Sequence, residues 1–308
     1  MRAVVLSEFG PPEVLVATEA PDPVAGPGEV LIDVEVANIT FVETQVRAGR
    51  PPHPSMLPDL PAILGNGVGG RVAGGDGGRV ISSLGGLGGY AERAVAPAAR
   101  LVPVPDGVEL RDAVALLADG RTAVGLMQGA AITPGETVLV PAAAGGVGTL
   151  LVQLAAHAGA LVVAAARGER KLTLARELGA EVVVDYDDPG WDGALEGVDV
   201  AFDGVGGAIG RAAFELVRPG GRFLPFGMAS GAFAPVSDED ADARDVRMVR
   251  GGRPTPEELV ERVGVALTEA ESGRLRPVVG QTFPLERAAG AHAAIESRAT
   301  VGKTLLLT

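Results

Sequence analysis

The chain has no cysteine in 308 residues. That absence excludes disulfides, thiolate nucleophiles and cysteine-ligated zinc together. Histidine is scarce as well. His53, His157 and His292 lie far apart on different predicted elements, which is not how the three protein ligands of an open zinc site are expected to arrive. Cations are in the minority, 26 Lys and Arg against 39 Asp and Glu, for a net charge of −13. A phosphate-backbone binder usually presents a basic face and a peripheral membrane protein a polybasic patch, so nucleic acid and membrane are set aside as partners. No stretch approaches the roughly 20 unbroken apolar residues needed to span a bilayer. Residues 1–6 read as a strand, without the basic-then-apolar layout of a signal peptide. The expected location is cytoplasmic.

Apolar residues make up 47% of the chain, and they come in short Val/Leu/Ala runs separated by many of the 45 glycines and 23 prolines. Such punctuation reads as turns between many short elements. The length suits two domains of about 150 residues each. In the first third, residues 3–6, 29–37, 70–73, 79–82 and 91–95 read as short strands, with a helix over 38–49, the pattern of an irregular β-barrel-like domain. Near residue 112 the texture changes to helices alternating with strands at 137–140, 161–165, 181–184, 198–202 and 222–226. This alternation predicts an α/β unit with a parallel sheet. Residues 237–245 read as a solvated acidic loop. Thr255-Pro256-Glu257-Glu258 opens a further helix, and the chain closes on a helix and a strand at 304–307.

One turn carries chemistry. Ala143-Ala144-Gly145-Gly146-Val147-Gly148 follows a predicted strand. It precedes a helix whose apolar residues fall at Val147, Leu150, Leu151, Leu154, Ala155 and Ala158, spaced as one helix face. Glycines at such a turn let a pyrophosphate approach backbone N–H groups at a helix N-terminus. In this strand–turn–helix setting the motif predicts a dinucleotide site. An NAD site usually places Asp or Glu at the end of the second strand. Here Ala165-Ala166-Arg167 stands there, with Lys171 beyond. Arg167 and Lys171 could hold the 2′-phosphate of NADPH through charge-assisted hydrogen bonds. The alternative is two ordinary surface cations, although a helix start disfavours them. NADPH is the expected cofactor.

These residues belong to a longer set: Gly10-Pro11-Pro12-Glu13-Val14-Leu15, Asn38-Ile39-Thr40-Phe41, Arg47-Ala48-Gly49, Asp203-Gly204-Val205-Gly206-Gly207, Phe226-Gly227 and Glu296-Ser297-Arg298-Ala299-Thr300. With them the chain resembles, over essentially its whole length, the zinc-independent (zeta-crystallin-like) quinone oxidoreductases of the medium-chain dehydrogenase/reductase superfamily. The resemblance implies a Rossmann-type doubly wound domain, residues 119–254, inserted in a GroES-like, mainly β catalytic domain, residues 1–118 and 255–308. It implies a cleft between the two, often a homodimer, and hydride transfer from NADPH to a small-molecule quinone or enone. It places Asn38 near the nicotinamide, Lys171 and Tyr186 at the adenosine phosphate, and Phe226, Gly227 and Met228 along the cofactor channel. Arg298 approaches from the C-terminal segment, and Gly204 joins Ala144, Gly145, Gly146, Val147 and Gly148 among the cofactor residues.

Departures from the family fall on the substrate side. Thr40 stands where zinc-dependent relatives have their first thiolate, and Asn66-Gly67 where they have a His-Glu pair, so no metal is expected. Gln45 and Pro51 occupy stations where tyrosines often flank the nicotinamide. The catalytic candidates are therefore Asn38, Thr40 and Gln45, with Thr40, Gln45 or a water donating to the acceptor oxygen. Tyr90 and His292 read as packing residues, His157 as solvated, and His53 as a residue able to border the active cleft. Residues 246–249 read equally as a sheet edge open to a second subunit or as a buried strand. Two other functions compete: an enoyl-thioester reductase acting on an acyl carrier or CoA substrate, and a non-catalytic NADPH-binding structural or sensory protein.

Overall fold

The alternating middle of the chain forms six strands in one sheet. A computed structural model describes every residue except Asp76 and Arg253. It divides into two compact units, Met1–Arg121 with Pro256–Thr308, and Thr122–Thr255. Across the second unit the strands run Val182–Asp185, Leu161–Ala166, Thr137–Pro141, Val198–Asp203, Val217–Pro225 and Arg247–Met248. All neighbouring pairs are parallel. Numbered along the chain this order is 3-2-1-4-5-6, the doubly wound dinucleotide-binding order. It reverses between Thr137–Pro141 and Val198–Asp203, which makes their carboxyl ends the topological switch point. Both of the first two strands are buried almost throughout, as expected of a parallel sheet covered on its two faces. Beside the first strand's end, the helix Gly146–His157 buries Leu150, Leu151 and Ala155, and also Val152 and Gln153 outside the predicted stripe.

Two readings in this unit change. Residues 237–245 contain a short helix, Asp238–Ala243, because Ser237 and Asp240 form a capping box and Ala241 docks into the core beside Phe214 and Phe223. The strand expected at 222–226 begins earlier, at Val217, and Pro219-Gly220-Gly221 interrupts it. Val217 pairs with Val198 and Arg222 with Val200, so the intervening residues are looped out.

The first unit holds a three-stranded sheet and a seven-stranded one. The long strand Glu29–Ile39 organises the latter, pairing with Gly67–Val72, Arg93–Pro97 and Lys303–Leu307. Asn38 and Ile39 are thus strand residues. The helix predicted over 38–49 is shorter, Phe41–Arg47, with Thr40 as its N-cap. The core joins Val4, Leu6, Ile32, Val34, Leu64, Val68, Tyr90 and Leu306.

Two histidine readings and the tyrosine reading find specific places. His157 is exposed and His292 is fully buried. The Tyr90 hydroxyl lies 3.0 Å from His292 Nε2. Burial, and secondarily the Arg47 charge, lowers the His292 pKa to about 3. The unfolded chain binds a proton there below about pH 6.5, which the folded chain refuses until near pH 3. Neutral His292 therefore contributes stability that is whole above pH 6.5 and is lost as pH falls towards 3, at about 1.4 kcal/mol per pH unit. His292→Gln should flatten the dependence of unfolding free energy on pH between about 6 and 4 by one proton. Parallel slopes for variant and parent would contradict the assignment.

Candidate functional site

In the second unit, five strand ends carry the predicted cofactor residues to the carboxyl end of the sheet. The glycine turn follows Thr137–Pro141, Arg167 and Lys171 follow Leu161–Ala166, and Tyr186 follows Val182–Asp185. Gly204 follows Val198–Asp203, and Phe226, Gly227 and Met228 follow Val217–Pro225. At the turn, the Gly145 N–H donates to the Ala142 carbonyl at 2.9 Å, and Ala142 has a positive φ of 52°. Gly145 is the N-cap of the following helix and brings no side-chain cap. The first helical N–H groups thus lack the side-chain oxygen that ordinarily meets them, as a site for an anionic ligand requires. A Cβ on Gly148 would lie 2.2 Å from the Ala142 carbonyl oxygen, so only glycine lets the helix start this close to the strand end. These features fit a dinucleotide pyrophosphate.

At the second strand end Arg167 is exposed and paired with Asp187, Nε to Oδ2 at 2.5 Å. Lys171 lies half-buried in the first turn of the helix Glu169–Glu177. Tyr186 is half-buried against the apolar core. Asp185 accepts the Gly168 N–H at 2.8 Å through one oxygen and the Asp187 N–H at 3.0 Å through the other. Sequence reasoning searched the second strand for a carboxylate and missed these two, which arrive from the third.

Asp203 shapes the loop that follows it. Its Oδ1 accepts the Val205 and Gly206 N–H groups at 2.9 and 2.8 Å, and its backbone carbonyl accepts those of Phe226 and Gly227. The Phe226 ring covers Gly204, where a Cβ would come within 2.7 Å of it.

In the first unit, Asn38 is fully buried, with neither its amide nitrogen nor its oxygen hydrogen-bonded. A Cβ on Gly67 would lie 3.1 Å from that amide nitrogen and 2.5 Å from Leu117, so the glycine makes room for both. Thr40 and Gln45 are half-buried. Glu43 lies between Thr40 and the core. Its Oε2 accepts the Thr40 N–H at 2.5 Å and hydroxyl at 2.8 Å, and its Oε1 accepts the Asn66 N–H at 2.9 Å. Burial, more than these bonds offset, raises the Glu43 pKa. Glu43 was missed, although Thr40-Phe41-Val42-Glu43 is a capping-box sequence that signals it. Gln45 Nε2 donates to Thr44 Oγ1 at 3.1 Å. The exposed Arg298 stacks its guanidinium over Phe41, 5.8 Å from the ring centroid. His53 is exposed and hydrogen-bonds Ser55. Among the described residues, no group of three or more His, Asp or Glu could hold a metal ion.

Two family models match, the alcohol dehydrogenase GroES-like domain over residues 26–106 and the zinc-binding dehydrogenase over residues 178–306. The chain is 31% identical to a 2-haloacrylate reductase of a Burkholderia species, covering 100% of this chain and 99% of that protein. It is 31% identical to a quinone oxidoreductase of Pseudomonas aeruginosa, covering 99% of each. The crystal structure of Escherichia coli quinone oxidoreductase complexed with NADPH is similar with a TM-score of 0.91 at 28% identity, over 100% of both chains.

Proposed function

The chain belongs to the quinone oxidoreductase branch of the medium-chain dehydrogenase/reductase superfamily, and we propose that it reduces a small quinone or α,β-unsaturated carbonyl compound with NADPH, without zinc. The observation that carries this reading is the uncapped helix start at Gly145, held close to the strand by Gly148, with Arg167, Lys171, Tyr186, Gly204 and Phe226 at the same carboxyl end of the sheet. NADPH is the cofactor of a quinone oxidoreductase of the same fold. Haloacrylates, alkenes conjugated to a carboxyl, are the substrates named for another relative and belong to the same electrophile class.

When bound, the cofactor supplies a hydride. The residues of this chain position the reactants and place donors where charge develops on the acceptor oxygen. Gln45 has two amide N–H donors, of which one is given to Thr44, so the second can meet that oxygen. The Thr40 hydroxyl gives its one proton to Glu43. When Glu43 is protonated the bond can reverse, and Thr40 then donates to the acceptor. Asn38 presents no surface to a ligand, and we assign it to packing beside Gly67 rather than to the reacting atoms. With no cysteine in the chain, nothing replaces the thiolate that a catalytic zinc of this superfamily would need at Thr40.

A homodimer and a cytoplasmic location belong to the same proposal. The strand Arg247–Met248 ends the sheet with no further strand beyond it among the described residues, an edge that a second copy could extend. Among those residues no helix is long and apolar enough to cross a membrane.

NADPH oxidation by the chelator-treated protein tests the function. Turnover with benzoquinones, enones or 2-haloacrylates is expected. Turnover confined to enoyl thioesters would overturn the substrate class, and tight NADPH binding without turnover on any panel would make the protein a binding module.

A further inference from the structure

The second strand leaves the sheet as Ala165-Ala166-Arg167, without the carboxylate that an NAD site usually carries there. The sheet register supplies one from next door. Asp185 of the third strand stands directly opposite Ala166. Both of its oxygens are tied to backbone, one to Gly168 and one to Asp187, so its place beside the strand end is fixed. Those bonds also set the start of the Asp187 segment, whose carboxylate holds Arg167 at 2.5 Å. Both members of this ion pair are about half exposed. It is therefore weak enough to exchange partners in water.

Resting on the NADPH reading above, we infer that Asp187 sets the cofactor preference by competing with the 2′-phosphate for Arg167, so that the chain accepts NADH as well as NADPH. The 2′-phosphate must draw Arg167 away from Asp187 and stand near two carboxylates, which repel it. A 2′-hydroxyl meets neither penalty. Arg167 keeps its pairing with Asp187, whose carboxylate still has lone pairs to accept a ribose hydroxyl. The discrimination that Arg167 and Lys171 would give by themselves is thereby narrowed.

Dissociation constants of NADPH and NADH, measured by calorimetry on the full chain, test this. Asp187→Asn should tighten NADPH by about three- to tenfold and change NADH by less than about twofold. Most of the gain should be lost when Arg167→Ala is added, because only relief of the direct repulsion then remains. A ratio of the two constants unchanged by Asp187→Asn, or an equal gain for both cofactors, would overturn the inference while leaving the NADPH reading intact. A parent protein that binds neither cofactor would overturn both.

Discussion

Replacing Gly148 by alanine is expected to weaken NADPH binding by at least about a hundredfold, a loss of about 2.7 kcal/mol. The added Cβ would lie 2.2 Å from the Ala142 carbonyl oxygen and 2.9 Å from the Ala143 Cα. Both are backbone atoms and cannot rotate aside. Ala142 already has a positive φ, and its carbonyl already accepts the Gly145 N–H. The collision can be relieved only by opening the turn or sliding the helix Gly146–His157 off the strand end. Either displaces the N–H groups that would face the pyrophosphate. Overpacking of this kind should also cost about 1–3 kcal/mol of stability. Gly264→Ala, in the helix Pro256–Glu271 away from the cofactor residues, is the matched control, because nothing lies within 4 Å of its added Cβ. Calorimetry and denaturant melts check both variants. Unchanged NADPH affinity in Gly148→Ala would remove the turn from the cofactor site.

The second large effect is expected far from the cofactor. Arg47 is 1% exposed, donates to the Gly10 carbonyl and pairs with Glu296, which is 28% exposed. Burial lowers the Arg47 pKa, against the opposing pull of Glu296. Glu296→Ala leaves a buried cation with the Gly10 carbonyl as its main partner, and should cost about 3–5 kcal/mol in a urea melt. Arg47→Met leaves a carboxylate that can reach water, and should cost less, about 1–3 kcal/mol. Equal costs, or the reverse order, would contradict this account of the pair. It also explains physically why Gly10, Arg47 and Glu296 all fall within segments that resemble the family, although 249 residues separate the two charges.

What the sequence made legible was local. The glycine turn, the strand before it and the helix after it are encoded within about twenty residues, by period and by the steric demand of the turn. The parallel sheet followed from repeating that pattern, and its doubly wound form from the family resemblance. Asp185 escaped notice because its partner, Gly168, is a neighbour only through strand register. Tyr90 and His292 meet across 202 residues and could be read only as separate packing groups. The helix Asp238–Ala243 was hidden by its composition, since Ala241 is the one residue it buries. Glu43 is different, because its signal was present. The Thr-x-x-Glu spacing predicts a carboxylate folded back onto Thr40, and that carboxylate controls where the Thr40 proton points.

The central claim is hydride transfer from NADPH to an electron-poor acceptor by residues that need no metal. Its most direct test is NADPH oxidation by the chelator-dialysed protein with a simple benzoquinone, using cofactor deuterated at the transferred position. The account predicts undiminished turnover after metal removal, with deuterium delivered to the reduced product or slowing cofactor oxidation. Activity that disappears on dialysis and returns only with added zinc would contradict it.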